Sequence, residues 1–108
     1  MANTYKRLGA LRPANTNEAK LYGPATATSA VVNLIICNQD TVENSYRIAI
    51  TNTDATADGE DWMVYDVIMA PNGTHTFSGI SLNYPETIRV QAGVANKISF
   101  IAHGLEIS

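Results

Sequence analysis

Four residues in one acidic segment have the types and spacing of ligands in a calcium-binding loop. Asp54, Thr56, Asp58 and Gly59 occupy relative positions 1, 3, 5 and 6 of the pattern D-x-[DN]-x-[DN]-G. In that pattern side-chain oxygens surround the ion and glycine permits the sharp turn. Position 12 is Tyr65 rather than the bidentate glutamate that closes such a site, and the flanking residues have the pattern of strands. The spacing therefore does not predict a calcium-binding loop of this type.

The whole loop, residues 52–61, is better interpreted as an acidic connection between two strands, whose charges keep neighbouring strand edges from pairing. Two alternatives stay open. One is a cation site built from Asp54, Asp58, Glu60 or Asp61. The other is a glycan contact, since carboxylates stand beside Trp62 and both groups suit sugars. We expect Trp62 itself to lie in the core or in an interface.

The remaining reactive residue types do not form a recognisable catalytic or metal-binding pattern. His75 and His103 each fall inside a predicted strand, without a cysteine or carboxylate at metal-ligand spacing. Cys37 lies in an apolar run, where we expect a buried and unreactive thiol. The sequence contains neither G-x-S-x-G nor a glycine-rich phosphate loop. We therefore predict a protein that is not an enzyme, with no catalytic, metal-binding or cofactor-binding residues.

Length and composition indicate one small globular domain. The chain has 108 residues, of which 45% are hydrophobic and 16% are charged. This is enough for a single core, and a lone cysteine excludes a disulfide within the chain. No apolar run approaches the roughly 20 residues needed to span a bilayer, and the first residues lack a secretory signal. We expect a soluble protein without membrane contacts.

Charge is divided unevenly along the chain. Residues 1–20 contain four basic residues and one acidic residue, a net charge of +3, whereas residues 21–108 carry a net charge of −6. We interpret residues 1–18 as an extended N-terminal arm that docks on an acidic neighbouring protein and can be removed without unfolding the domain at 19–108. The docking residues we expect are Tyr5, Lys6, Arg7, Leu8 and Arg12. Nucleic acid is a less suitable partner, because the acidic body repels phosphates.

Short segments of apolar and alternating residues predict an all-β domain. Seven of them read as strands: AKLYG (19–23, an edge strand), AVVNLIIC (30–37), SYRIAIT (45–51), DWMVYDVIMA (61–70), THTFSG (74–79), TIRVQA (87–92) and KISFIAHGLEI (97–107). Segment 30–37 is nearly continuous in apolar character, which predicts a strand that is buried on both sides or lies in the centre of the sandwich. The turn signal PNG predicts a hairpin between 61–70 and 74–79. The architecture expected for 19–108 is an antiparallel β-sandwich of jelly-roll type.

The alternation also predicts which side chains form the core. We expect burial of Val31, Leu34, Ile36, Tyr46, Ile48, Ile50, Val64, Ile68, Phe77, Ile88, Val90, Ile98 and Phe100.

The chain contains, in this order, the segments YKRLGAL, LYGP, AVVNLIICN, YRIAI, YDVIMAPNGTHTF, GISL and SFIAHGLEI. As a set, these segments resemble those of small virion structural proteins of tailed bacteriophages. The resemblance spans nearly the whole chain and consists of strand and turn elements. It implies a non-enzymatic β-sandwich made in the host cytoplasm and assembled into the virion. The placement we favour is a capsid cement or decoration protein at the capsid surface, with the major capsid protein as partner and a trimeric state. The alternative is a tail-fibre, baseplate or knob module that binds a host receptor or glycan.

Overall fold

A computed structural model of the protein describes residues 3–108, and these form eight β-strands and no helix. The all-β prediction is confirmed. The strands are β1 (Asn3–Leu11), β2 (Ala19–Tyr22), β3 (Ser29–Asn38), β4 (Asn44–Thr51), β5 (Trp62–Met69), β6 (Thr74–Asn83), β7 (Thr87–Ala92) and β8 (Ile98–Ile107). Within this part of the chain nothing forms a helix long and apolar enough to cross a membrane.

The strands form two four-stranded antiparallel sheets that share one core. The first sheet has the order β1-β8-β3-β6 and the second has the order β2-β7-β4-β5. Buried side chains from both sheets make a single cluster. At its centre the rings of Tyr46 in β4 and Phe100 in β8 meet edge to face, with centroids 6.2 Å apart. The fold is therefore sandwich-like, and β2 lies at a sheet edge as the sequence predicts.

Most of the predicted core is confirmed, and the exceptions have a structural cause. The residues buried as predicted are Leu34, Ile36, Tyr46, Ile48, Val64, Ile88, Val90, Ile98 and Phe100. Ile50 and Phe77 are only partly buried at the margin of the core. The prediction is wrong for Val31 and Ile68, which are exposed. Val31 faces outward from β3, and Ile68 follows a register shift beside Asp66, whose φ is +53°.

The N-terminal segment is extended, but it is not a free arm. Residues 3–11 form β1, which pairs along its length with β8 at the edge of the first sheet. Leu8 and Leu11 pack against the core. Residues 3–11, which the sequence places in an extended arm outside the domain at 19–108, are thus a strand of the first sheet, and residues 1 and 2 lie outside the described residues.

The turn at 71–73 reverses the chain as predicted, but it does not form a hairpin. It carries the chain from β5 in the second sheet to β6 in the first, and β6 pairs with β3. Nearby, the buried side chain of Asn38 fixes this end of the sandwich. Its amide donates to the carbonyl oxygens of Val42 (3.0 Å) and Ala70 (3.2 Å), which ties the β3–β4 turn to the end of β5.

Candidate functional site

Part of the outward surface of the first sheet, on β1, β8 and β3, is apolar. In β3 the inward residues Val32, Leu34 and Ile36 are at most 1% exposed. Val31 and Ile35 lie on the opposite side of the strand, point away from the core and are accessible to solvent. Outward positions of a sheet that faces water are normally polar. Of the two predicted placements of β3, burial on both sides is therefore wrong, because its second side faces solvent. A central position is consistent with its place between β8 and β6.

The neighbouring strands continue this apolar surface. Leu105 in β8 lies opposite Val31 in one ladder and opposite Tyr5 in the other, and Tyr5 is 81% exposed. Residues directly opposite one another in a ladder share a face. Ile101 lies opposite Ile35 in the same way. We define the apolar face as Tyr5, Val31, Ile35, Ile101, Leu105 and Ile107. A row of polar side chains, Arg7, His103 and Asn33, separates Ile35 and Ile101 from the rest of the face.

An open groove of about 520 Å³ crosses the apolar face between β1 and β3. Besides residues of the face, its walls include Lys6, Asn33 and His103. Elsewhere on β3, the prediction that Cys37 is buried is wrong, because its side chain is partly exposed. The groove is open to solvent rather than enclosed, which suits a protein surface better than a small molecule.

The five predicted docking residues separate in the structure. Tyr5 lies on the apolar face, and Arg7 lies beside it, opposite His103. Lys6 lines the groove, and its ammonium group makes an ion pair of 2.9 Å with Glu106. The other two are elsewhere: Leu8 packs against the core, and Arg12 donates a hydrogen bond of 2.8 Å to Gln39 Oε1.

Glu106 in β8 connects β1 of the first sheet to β2 of the second. Its carboxylate accepts a hydrogen bond of 2.5 Å from the hydroxyl of Tyr22 in β2, in addition to the ion pair with Lys6. The hydrogen bond from Tyr22, together with the bond and charge of Lys6, lowers the pKa of Glu106. Burial, reinforced by the bond to Glu106, raises the pKa of Tyr22. This cluster fixes the position of the strand that carries Tyr5.

The acidic loop 52–61 is held against the second sheet by ion pairs. Arg89 in β7 contacts Glu18 at 2.5 Å and Asp54 at 3.4 Å, and Lys20 in β2 contacts Asp54 at 3.0 Å. Glu18 also accepts a hydrogen bond from the backbone N–H of Ala57. In residues 3–108 no three His, Cys, Asp or Glu side chains are grouped so that they could hold a metal ion. The two ion pairs make Asp54 the shared counter-ion of Lys20 and Arg89.

Beyond this loop, β4 and β5 together present an aromatic and basic cluster. The guanidinium of Arg47 lies 3.9 Å from the ring centroid of Tyr65 and 5.7 Å from that of Trp62. Arg47 also makes two hydrogen bonds with Asp66, of 2.7 and 3.0 Å. These bonds raise the pKa of Arg47 and lower the pKa of Asp66. Trp62 is only partly buried, so it lies in a surface cluster rather than in the core.

Strand β5 also exposes aliphatic side chains at the open edge of the second sheet. Met63 is 40% exposed, Val67 is 39% exposed and Ile68 is 59% exposed. We refer to these three residues as the β5 strip. Exposed apolar side chains along an unpaired edge strand favour association with another chain.

Sequence reasoning missed both apolar surfaces, although one left a signal. The segment 30–37 is apolar at alternate positions on both sides, and this pattern fits a strand with a core face and a binding face as well as a fully buried strand.

Of the two histidines, His75 forms a hydrogen bond of 2.8 Å between its Nδ1 and the Tyr46 hydroxyl, and His103 faces the groove.

The chain matches no protein-family model and no curated protein. Its fold and surfaces define an all-β domain with two exposed apolar surfaces, one on each sheet.

Proposed function

We propose that the protein is a structural component of a bacteriophage virion, a cement or decoration protein that stabilises the head shell through protein–protein contacts. The strand order β1-β8-β3-β6 and β2-β7-β4-β5 supports a jelly roll, an eight-stranded architecture used by viral capsid domains. The resemblance of the strand and turn segments to small phage virion proteins points to the same role. The role requires no catalytic residue.

The apolar face is the observation that carries this proposal. It joins outward side chains of three adjacent strands, with Val31 38% and Tyr5 81% exposed, and the groove beside them adds concave shape. Contiguous apolar patches on small domains mark sites of protein contact. We assign this face to the major capsid protein, with Arg7 and Lys6 at the margin to meet acidic groups of the shell.

The β5 strip supports contacts between copies. It lies on the other sheet, so a copy that binds the shell through the apolar face keeps this edge available. We propose a homotrimer at the capsid surface, in which burial of Val67 and Ile68 adds to the core of a small domain without disulfides. Assembly follows synthesis in the host cytoplasm.

Binding to purified capsids that lack the protein tests the proposed function. Val31→Asp places a charge on the apolar face, whereas Val42→Asp makes the same change at a 56% exposed valine outside it. We expect capsid co-sedimentation of the wild-type protein and of Val42→Asp, and loss of binding by Val31→Asp, with both variants folded by circular dichroism. Retained binding by folded Val31→Asp contradicts the role of the face. Failure of the wild-type protein to bind contradicts the proposed function.

A further inference from the structure

A small groove on the second sheet lies between β5 and the acidic loop. It has a volume of about 400 Å³ and is lined by Gly59, Trp62 and Tyr65. Tyr65 is 56% exposed, and its neighbour Val64 points into the core. The rings of Trp62 and Tyr65 meet edge to face, with centroids 5.7 Å apart and planes at 72°. These two rings form an aromatic corner that is open to solvent.

A cation–π contact with Arg47 helps to fix this corner in place. Arg47 lies 3.9 Å from the Tyr65 centroid and is itself held by two hydrogen bonds to Asp66. A guanidinium over an aromatic ring is attracted to its electron-rich face. The ring is thus positioned before any ligand arrives, which lowers the entropic cost of binding.

The opposite wall is also fixed. Gly59 belongs to the loop whose preceding residue, Asp58, donates its backbone N–H to Asp61 Oδ2 at 2.8 Å. Asp61 in turn accepts a hydrogen bond of 3.0 Å from the backbone N–H of Ile50 in β4. Together with the bond between Ala57 and Glu18, these contacts hold the loop on both sides of Gly59 in the chain.

We propose that this groove binds a neutral saccharide. The C–H face of a pyranose packs on an aromatic ring, and its hydroxyl groups donate to carboxylates. Tyr65 and Trp62 provide the rings, and the exposed carboxylates of Asp58 and Glu60 flank Gly59 in the loop. This site goes beyond the contacts needed to cement a shell.

Charge decides in favour of a neutral ligand. Arg47 is paired with Asp66, and the exposed carboxylates of Asp58 and Glu60 adjoin Gly59 in the chain, so we expect the rim of the groove to be negative. A negative rim repels acidic sugars and nucleic acid. Shallow aromatic sites of this kind bind single sugars weakly, and we expect a dissociation constant on the order of 1 mM.

NMR titration of the full chain tests the proposal. The probes are the methyl glycosides of glucose, galactose and mannose, with sialyllactose and a thymidine oligonucleotide as acidic probes. We expect at least one neutral glycoside to shift the amide signals of residues 59–66. Tyr65→Ala should weaken that binding about tenfold through loss of the ring contact, whereas Tyr65→Phe retains it.

Two further variants separate the groove from the fold. No atom lies within 4 Å of a Cβ placed on Gly59, so Gly59→Leu fills the groove without disturbing the core and should abolish binding. Tyr5→Ala removes an exposed tyrosine from the other sheet and should leave binding unchanged. The proposal is overturned if no neutral glycoside shifts these signals, if folded Gly59→Leu binds like the wild-type protein, or if an acidic probe binds more tightly than every neutral one.

Discussion

Tyr5 lies opposite Leu105 in the ladder between β1 and β8, and Leu105 also lies opposite Val31 in the ladder between β8 and β3. Three strands therefore contribute apolar side chains to one continuous outward surface. Single exposed apolar residues are common on proteins, whereas a contiguous set marks a binding surface. This continuity connects the N-terminal segment to the proposed contact with the shell.

Three glycines should differ in their tolerance of alanine. Gly59→Ala meets open space and should change stability by less than about 0.5 kcal/mol. Gly79 has a φ of +75° without a nearby atom, so alanine there should cost about 1 kcal/mol. A Cβ on Gly104, where φ is +154°, would lie 2.1 Å from the carbonyl oxygen of Val31, and we expect a cost above about 2 kcal/mol. Urea unfolding of the three variants measures this order, and equal costs would contradict it.

Glu106 should make stability depend on pH in the acid range. Because its pKa is lowered in the folded protein, its contribution is full above the ordinary glutamate pKa and is lost as the pH falls through the lowered value. Solvent screening keeps the effect modest. Wild-type protein should therefore lose more stability than Glu106→Gln between about pH 6 and about pH 3. If urea unfolding shows that both proteins lose the same free energy of unfolding across that range, the contacts of Glu106 with Tyr22 and Lys6 do not contribute to stability.

The loop 52–61 should loosen when Glu18 loses its charge. Glu18→Gln weakens the contacts to Arg89 and to the amide of Ala57. We expect hydrogen exchange at Ala57 to accelerate about fivefold, in line with a hydrogen bond worth ~1 kcal/mol. Glu43→Gln, at an exposed position in another turn, is the matched control. Unchanged exchange at Ala57 in Glu18→Gln would mean that the loop is held by other contacts.

The β5 strip should control self-association. Ile68→Asp introduces a charge at a 59% exposed position, so the monomer should remain folded while contacts between copies are lost. Light scattering should give the mass of a trimer of 11.6 kDa chains for the wild-type protein and for Val42→Asp, and the mass of a monomer for Ile68→Asp. A trimer of Ile68→Asp, or a wild-type protein that stays monomeric, would remove the strip from the interface.

Removal of the first strand should destabilise the domain. Sequence reasoning predicts that residues 1–18 are dispensable, but β1 covers the backbone edge of β8 and contributes Leu8 and Leu11 to the packing around the core. Deletion of residues 1–11 exposes that edge, which favours aggregation. Thermal unfolding should show a lower and less cooperative transition for the shortened chain. A transition like that of the full chain would restore the interpretation of a dispensable arm.

The comparison of Ile48 with Val31 shows where periodicity is informative. The alternation around Ile48 has one apolar side, so its burial follows from period 2 alone. Val31 belongs to a strand that is apolar on both sides, and a sequence does not distinguish a second core from a binding surface. The error at Ile68 has another origin, because the positive φ of Asp66 shifts the register and reverses the sides that follow.

The sequence predicts the strands better than it predicts the functional surfaces. Turn chemistry at 71–73 predicts a reversal but not the transfer of the chain to the other sheet. The cluster of Arg47 with Trp62 and Tyr65 forms only once β4 and β5 pair. Likewise, Tyr5 and Arg7 were predicted as docking residues from charge and composition, whereas their place beside the apolar face depends on pairing with the distant strand β8.

An image reconstruction of the intact virion tests the central claim most directly. The account predicts that density fitting this domain lies on the outside of the head shell in trimeric clusters, with the apolar face against the major capsid protein. Density for the domain on the tail, a fibre or the baseplate, or a virion that does not contain the protein, would contradict it.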